Sequence, residues 1–185
     1  MVSTNNLKNG MTLRIDGELW RVDYFQHVKP GKGGAFVRTT LKGVQNGKTI
    51  DRTYRAGEEL EQAILEKRSL QYLYRDGEDF VFMDTEHFEQ THVSEAALRD
   101  GSKWVKEGDT IDLVFHGDQV VDVNLPASVE LVITETEPGV QGDRVSGATK
   151  PATLETGATV SVPLFINSGE RIKVDTRSGD YISRA

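Results

Sequence analysis

The chain has 185 residues, 37% hydrophobic, 28% charged and 8% aromatic, enough apolar side chain to fill real cores and too much for a disordered segment. The absence of cysteine excludes disulfide frameworks, thiolate-held zinc, iron–sulfur clusters and thiol nucleophiles together. A net charge of −7, from 22 basic and 29 acidic residues, argues against a diffuse attraction to nucleic acid.

The N-terminal stretch Met1–Gly10 is polar, and the longest apolar run is Phe80–Met83, so neither export nor membrane insertion is encoded and the cytoplasm is the expected compartment. Short alternating runs bounded by turn residues then recur from end to end, the period-two pattern of half-buried strands. Leu13 and Ile15 lead to Asp16-Gly17, and Leu19–Phe25 follows. Asp-Gly between two such runs marks a hairpin, because both turn residues need positive φ. Ala35–Gly43 and Lys48–Tyr54 flank Gln45-Asn46-Gly47, and Leu70–Tyr74 and Asp79–Met83 flank Asp76-Gly77. Ala56–Leu65 is expected to hold a turn or two of helix. A longer helix is expected from Ser94, which can cap it, to about Lys106.

Pro126 interrupts strand pairing after the alternation of Val121, Val123 and Leu125. Three domains follow, 1–63, 64–127 and 128–185, each of about 60 residues, a size that suits a small β barrel. A weak internal echo links the last two. Gly108-Asp109-Thr110-Ile111-Asp112-Leu113 resembles Gly169-Glu170-Arg171-Ile172-Lys173-Val174, and each precedes a Gly-Asp turn, Gly117-Asp118 and Gly179-Asp180. Two related barrels would produce this, and so would two unrelated hairpins.

Charge is unevenly shared among the three pieces, at +3, −8 and −2. Between Asp23 and Asp51 there is no acid, while Lys29, Lys32, Arg38, Lys42 and Lys48 all fall there. Such a local basic surface on an acidic chain suits a charged partner, and it also suits a hairpin tuned for solubility. Within it, Lys29-Pro30-Gly31-Lys32-Gly33-Gly34 combines a stiffening proline with three glycines around one lysine. This leaves an amine at the end of a slim hairpin that can enter a narrow space, or an ordinary exposed turn. A phosphate-cradling loop would need Gly-Lys followed by Ser or Thr ahead of a helix, and Gly33 follows Lys32.

His87 and His92, with Asp84, Glu86 and Glu89, lack the i, i+4 spacing of a helical metal-binding pair, and a solvated acidic loop is expected there. No Gly-x-Ser-x-Gly elbow is present, and no catalytic residue, metal or cofactor is expected. Gly142-Asp143-Arg144 lies in a turn-rich stretch from Glu137 to Thr149. It can offer amides and a guanidinium to phosphate or base edges, or order its own loop. Tyr181 and Arg184 can stack on or pair with RNA, or serve as a barrel aromatic and a terminal charge.

Lys150-Pro151-Ala152-Thr153-Leu154-Glu155-Thr156-Gly157-Ala158, followed by Val160–Ile166 and Gly169, resembles the C-terminal signature of bacterial elongation factor P. The tip Lys29–Gly33 and the stretches Leu73–Gly77 and Phe82–Asp84 resemble that family as well. The resemblance implies an all-β fold: an SH3-like N-terminal barrel and two OB barrels, in an L shape that mimics tRNA. It implies a monomeric translation factor, not an enzyme, that binds both ribosomal subunits between the peptidyl-tRNA (P) and exit (E) sites and relieves stalling at consecutive prolines. Lys32 would then reach the CCA end of peptidyl-tRNA, flanked by Lys29, Pro30, Gly31, Gly33 and Gly34. Gly142, Asp143 and Arg144 would meet the exit-site codon of the mRNA, and Tyr181 and Arg184 the tRNA or small subunit. In this family the tip lysine is often lengthened by β-lysine or an aminopentanol group, so a Lys32-modifying enzyme is a further implied partner. Other branches carry a rhamnosylated arginine, the one variety that Lys32 excludes.

Overall fold

Period-two alternation becomes strand after strand in the computed structural model, which describes residues 1–139 and 147–185. The first sheet is built from β1 (Val2–Ser3), β2 (Thr12–Ile15), β3 (Glu18–Val28), β4 (Phe36–Gly43), β5 (Thr49–Arg55) and β6 (Glu59–Ala63), in the order β1-β6-β2-β3-β4-β5. The second holds β7 (Glu66–Asp76), β8 (Asp79–Asp84), β9 (Gln90–Ser94), β10 (Thr110–His116) and β11 (Gln119–Asn124), in the order β11-β10-β7-β8-β9. The third holds β12 (Ser128–Thr136), β13 (Thr149–Leu154), β14 (Thr159–Pro163), β15 (Arg171–Asp175) and β16 (Tyr181–Arg184), in the order β14-β13-β12-β15-β16. The fold is all-β, in three successive sheets, as the alternation requires.

The last two sheets share one topology. In each, the first strand is central, the next two extend to one side and the last two to the other. The sequence echo proves to be structural. Gly108 and Gly169 both adopt positive φ, at 91° and 85°. Gly108 N donates to Tyr72 O while Tyr72 N donates to Asp109 O, and Gly169 N donates to Ile133 O while Ile133 N donates to Glu170 O. Tyr72 and Ile133 each stand at a register shift of the first strand. Even the following acids act alike: Asp109 Oδ2 accepts from Lys106 N, and Glu170 Oε2 from Asn167 N. Two related five-stranded units explain all four coincidences, and two unrelated hairpins do not.

Three expectations change. The expected helix from Ser94 is only α1 (Glu95–Leu98), capped by the Ser94 hydroxyl at Ala97 N, followed by a 3₁₀ stretch over Arg99–Lys103. Arg99 adopts φ +54°, which an α-helix cannot continue. Ala56–Leu65 contains strand β6 in place of helical turns, because Leu60 pairs with Val2 and Ala63 with Thr12. At Asp76-Gly77 the strands pair through Asp76 and Asp79, so the turn residues are Gly77 and Glu78. Only Gly77 has positive φ, as a II′ turn needs, whereas Asp16 and Gly17 both have it, as type I′ needs.

By compactness the chain divides into residues 1–67 with 114–122, and 68–113 with 123–185. In the first unit the core comprises Leu13, Trp20, Val22, Val37 and Leu41, and a smaller cluster packs Leu19 and Ala63 against Val121 and Val114. In the second, Tyr72 stacks with Phe80 and Phe82 at ring distances of 5.3 and 5.4 Å. Trp104, which follows the 3₁₀ stretch, does not stay with the strands nearest to it in sequence. It is 5% exposed, in one cluster with Leu131, Ile133, Val160, Ile172 and Val174 of the third sheet. The neighbouring contacts Thr156 Oγ1 to Lys103 O and Lys106 Nζ to Glu155, at 3.7 Å for the latter, reinforce the junction. No helix among the described residues is long and apolar enough to cross a membrane.

Truncation of Trp104 to Ala should cost about 3–5 kcal/mol, the range for removing a buried aromatic, read by denaturant unfolding. Asp175 supplies a pH test. Ser178 and Arg177 donate backbone N–H groups to its carboxylate, at 3.1 and 2.7 Å, and hold it below the usual carboxylate range. Its contribution is fully present above about pH 4, where the unfolded carboxylate is ionised, and is lost as pH falls through the lower folded value. Asp175→Asn should therefore lower stability at neutral pH and flatten the acid limb of a stability-versus-pH curve, so that the two chains converge at low pH.

Candidate functional site

The β3–β4 hairpin carries the lysine-bearing tip. Its ladder runs from Trp20↔Gly43 to Val28↔Phe36, and β4 continues the pairing on its other edge through Phe36↔Arg55. The turn residues Lys29–Gly34 are all exposed and emerge from a ladder paired on both sides of β4. Lys32 makes no hydrogen bond or ion pair among the described residues, and its neighbour Gly33 adopts φ +115°, a conformation that L side chains rarely take. The chain thus spends two glycines to leave Lys32 uncrowded and one positive φ to turn past it.

The basic stretch is a surface in fact. Lys29, Lys32, Arg38, Lys42 and Lys48 are all exposed. Arg38 lies 5.5 Å from the centre of the Phe36 ring, and with Tyr24, Gln26 and Thr53 it lines a shallow groove on the outer face of β3, β4 and β5. Other arginines of this sheet are paired with acids, Arg21 with Asp23 at 2.9 Å and Arg52 with Asp16 at 3.2 Å.

Tyr181 and Arg184 stand at the end of the third sheet. Three residues apart on a regular strand, they would point to opposite faces. The register shift between Lys173 and Val174 inserts one residue, so Tyr181 pairs with Val174 and Arg184 with Ile172, both core residues. Tyr181 accordingly packs on the core of the third sheet. Arg184 leaves the same face at the rim, with its guanidinium 4.8 Å from the Phe165 ring centre, 3.3 Å from Glu170 and 3.3 Å from Phe165 O. The register puts these two residues on one face of the sheet. Gly142, Asp143 and Arg144 lie outside the described residues.

The histidines do not gather. His87 lies 3.6 Å from Asp84, and His92 lies about as far from Asp76 and Asp79 at the β7–β8 turn, at 4.0 and 3.9 Å. Lys150 is 6% exposed and its ammonium donates to the carbonyl of Glu137, a tie within the third sheet. In the sequence Phe165 stood out only as part of the C-terminal signature. It occupies a turn and is 59% exposed, while its neighbour Ile166 is fully buried. Adjacent apolar residues at the end of a run carry no signal of which one turns outward.

Comparison with known proteins covers the whole chain. Residues 3–60 match the elongation factor P KOW-like domain, 65–123 the elongation factor P OB domain, and 129–184 the elongation factor P C-terminal domain. The chain is 57% identical over its full length to elongation factor P of Acidothermus cellulolyticus, covering 99% of that protein. It is 55% identical to elongation factor P of Microcystis aeruginosa, with both chains fully covered. Among solved structures, translation initiation factor 5A from Methanococcus jannaschii superposes with a TM-score of 0.52 at 21% identity, covering 66% of this chain and 92% of that one. A family protein from Naegleria fowleri does so at 0.53 and 16%, covering 67% and 96%. At those identities the two structures speak for the fold alone.

Lys32→Ala should leave unfolding within about 0.5 kcal/mol of the unaltered chain, because an exposed tip side chain contributes to no core. Gly33→Ala should cost about 1 kcal/mol or more, because Ala is strained at positive φ. Equilibrium denaturation of the two variants side by side reads both.

Proposed function

The chain belongs to the elongation factor P family, and from that premise we propose that it binds the ribosome between the P and E sites and speeds peptide-bond formation where consecutive prolines stall it. One observation carries the reading: a primary amine, Lys32, without a partner among the described residues, held out by a paired ladder and flanked by glycines that let it enter a confined space. Elongation factors act in translation, and the ribosome is the catalyst here; the chain supplies binding and position.

In this reading Lys32 donates hydrogen bonds to the CCA end of the P-site peptidyl-tRNA. Proline is a poor nucleophile and a poor fit, so the peptidyl ester spends little time in an attack-ready geometry. A cation anchored on the tRNA end restricts it to that geometry and lowers the entropic part of the barrier, with an electrostatic contribution to the developing charge. Lys29, Pro30, Gly31, Gly33 and Gly34 shape the tip that brings the amine there. A modifying enzyme that lengthens Lys32 would extend its reach, and the exposure of the amine makes it accessible to one.

The remaining assignments follow the same reading. Gly142, Asp143 and Arg144 meet the E-site codon of the mRNA, and Tyr181 with Arg184 contacts the tRNA or the small subunit. The register shift that turns both side chains to one face of the third sheet supports their acting together. The modules are 1–63, 64–127 and 128–185, and the protein works in the cytoplasm as a monomer.

The test is synthesis of a Pro-Pro-Pro peptide on purified ribosomes. The unaltered chain should raise the rate at least about tenfold at saturation, a barrier change near 1.4 kcal/mol. Lys32→Ala should abolish the gain while still binding ribosomes. An unchanged rate with the unaltered chain sinks the reading, and full activity of Lys32→Ala removes the tip's role.

A further inference from the structure

The internal duplication assigns a counterpart to Trp104. Four residues before Gly108 stands Trp104, and four residues before Gly169 stands Phe165. The residue after each is buried: Val105 is 4% exposed and Ile166 is fully buried. The two aromatics therefore occupy the same place in two related units, just ahead of the glycine that starts the fourth strand. Their surroundings differ completely. Trp104 inserts into the core of the following unit, whereas Phe165 is 59% exposed.

An aromatic at this place is thus a docking group in the one instance where its partner is visible. Phe165 is prepared in the same sense. Glu170 Oε2 accepts from Asn167 N at 3.2 Å, and its Oε1 holds the Arg184 guanidinium at 3.3 Å. The same guanidinium donates to Phe165 O at 3.3 Å and lies 4.8 Å from the ring centre. These contacts fix Arg184 as a cation beside an open aromatic ring.

We propose that Phe165 is an RNA-contacting residue, stacking a base or ribose on its open ring face while Arg184, held by Glu170, takes the adjoining phosphate. The chemistry favours RNA over a protein surface. A protein core of the kind that receives Trp104 would have to bury the Arg184–Glu170 pair, at a desolvation cost. A nucleotide matches both halves at once, because an aromatic ring takes its base and a guanidinium its phosphate. The proposal rests on the reading of the chain as a ribosome-binding factor and adds to it a residue that the Tyr181 and Arg184 assignments do not include.

The experiment measures the affinity of the full chain for ribosomes that carry P-site peptidyl-tRNA and a vacant E site, with Phe165→Ala, Phe165→Leu and Phe165→Trp. Loss of one stacked base should weaken binding about tenfold in Phe165→Ala. Phe165→Leu should be weakened nearly as much, since it keeps apolar bulk without a π face, and Phe165→Trp should bind at least as well as the unaltered chain. Thermal unfolding of all three should stay close to that of the unaltered chain, as the ring is mostly outside the core. Chemical probing of tRNA and ribosomal RNA, with and without the ring, then shows which RNA gains reactivity and so which one supplies the nucleotide. Unchanged affinity in Phe165→Ala overturns the proposal. Full rescue by Phe165→Leu, or a Phe165-dependent crosslink to a ribosomal protein in place of RNA, overturns it equally. Affinity tests Phe165 and the saturated Pro-Pro-Pro rate tests Lys32, so the two readings fail separately.

Discussion

A lysine without a hydrogen-bond partner is held in place only by its backbone, and for Lys32 that backbone is the β3–β4 ladder. Residues Trp20–Val28 of β3 pair along β4, and β5 covers the other edge of β4. The ladder grips the inner sheet through Val22, Val37 and Leu41, which are wholly buried. Toward the tip the apolar grip thins: Phe25 and Val28 are only partly buried and Lys29 onward is exposed. Backbone pairing has to replace core packing over that distance, because a hairpin slim enough to enter a confined space has no room for a core of its own. The side chains around the tip follow from that demand, with glycine where bulk would obstruct and proline where the approach must be stiff.

Charge follows the same division of labour. An acidic chain is repelled by phosphate at long range, so it gains nothing from binding RNA indiscriminately. Uncommitted cations occur where contact is useful, as in the exposed run from Lys29 to Lys48, while Arg21 and Arg52 are tied to carboxylates of the same sheet. Arg184 is an intermediate case. Its pair with Glu170 orders it and leaves it exposed.

The second and third sheets are two copies of one five-stranded plan, and the aromatic ahead of the fourth strand has been put to different uses. Trp104 joins its unit to the next through an apolar insertion, an arrangement made permanent by burial. Phe165 keeps the same place, and its exposure and its stacked guanidinium suit reversible contact. Duplication followed by different exposure of one residue is an economical way to obtain both a joint and a docking surface from one plan.

Much of this was legible in the sequence, because the signals were local. Alternation marked the strands, Asp16-Gly17 marked a turn whose φ values were as required, and the glycines around Lys32 marked the tip. The echo between Gly108 and Gly169 was legible as a pattern, though not as a relationship, until the hydrogen bonds could be compared. Where the reading failed, long-range contacts had overridden local preference. Leu60 and Ala63 became strand because Val2 and Thr12 lay beside them. The helix from Ser94 stopped after four residues, where Arg99 turned to positive φ. The sequence by itself determined the all-β class, the tip lysine and the family. The tertiary structure alone decided that Trp104 would serve the next sheet, that Tyr181 and Arg184 would share a face, and that Phe165 would stay outside. Each of these depends on which side of a sheet a residue meets a distant partner, and a one-residue register shift reverses that side without changing the amino acids.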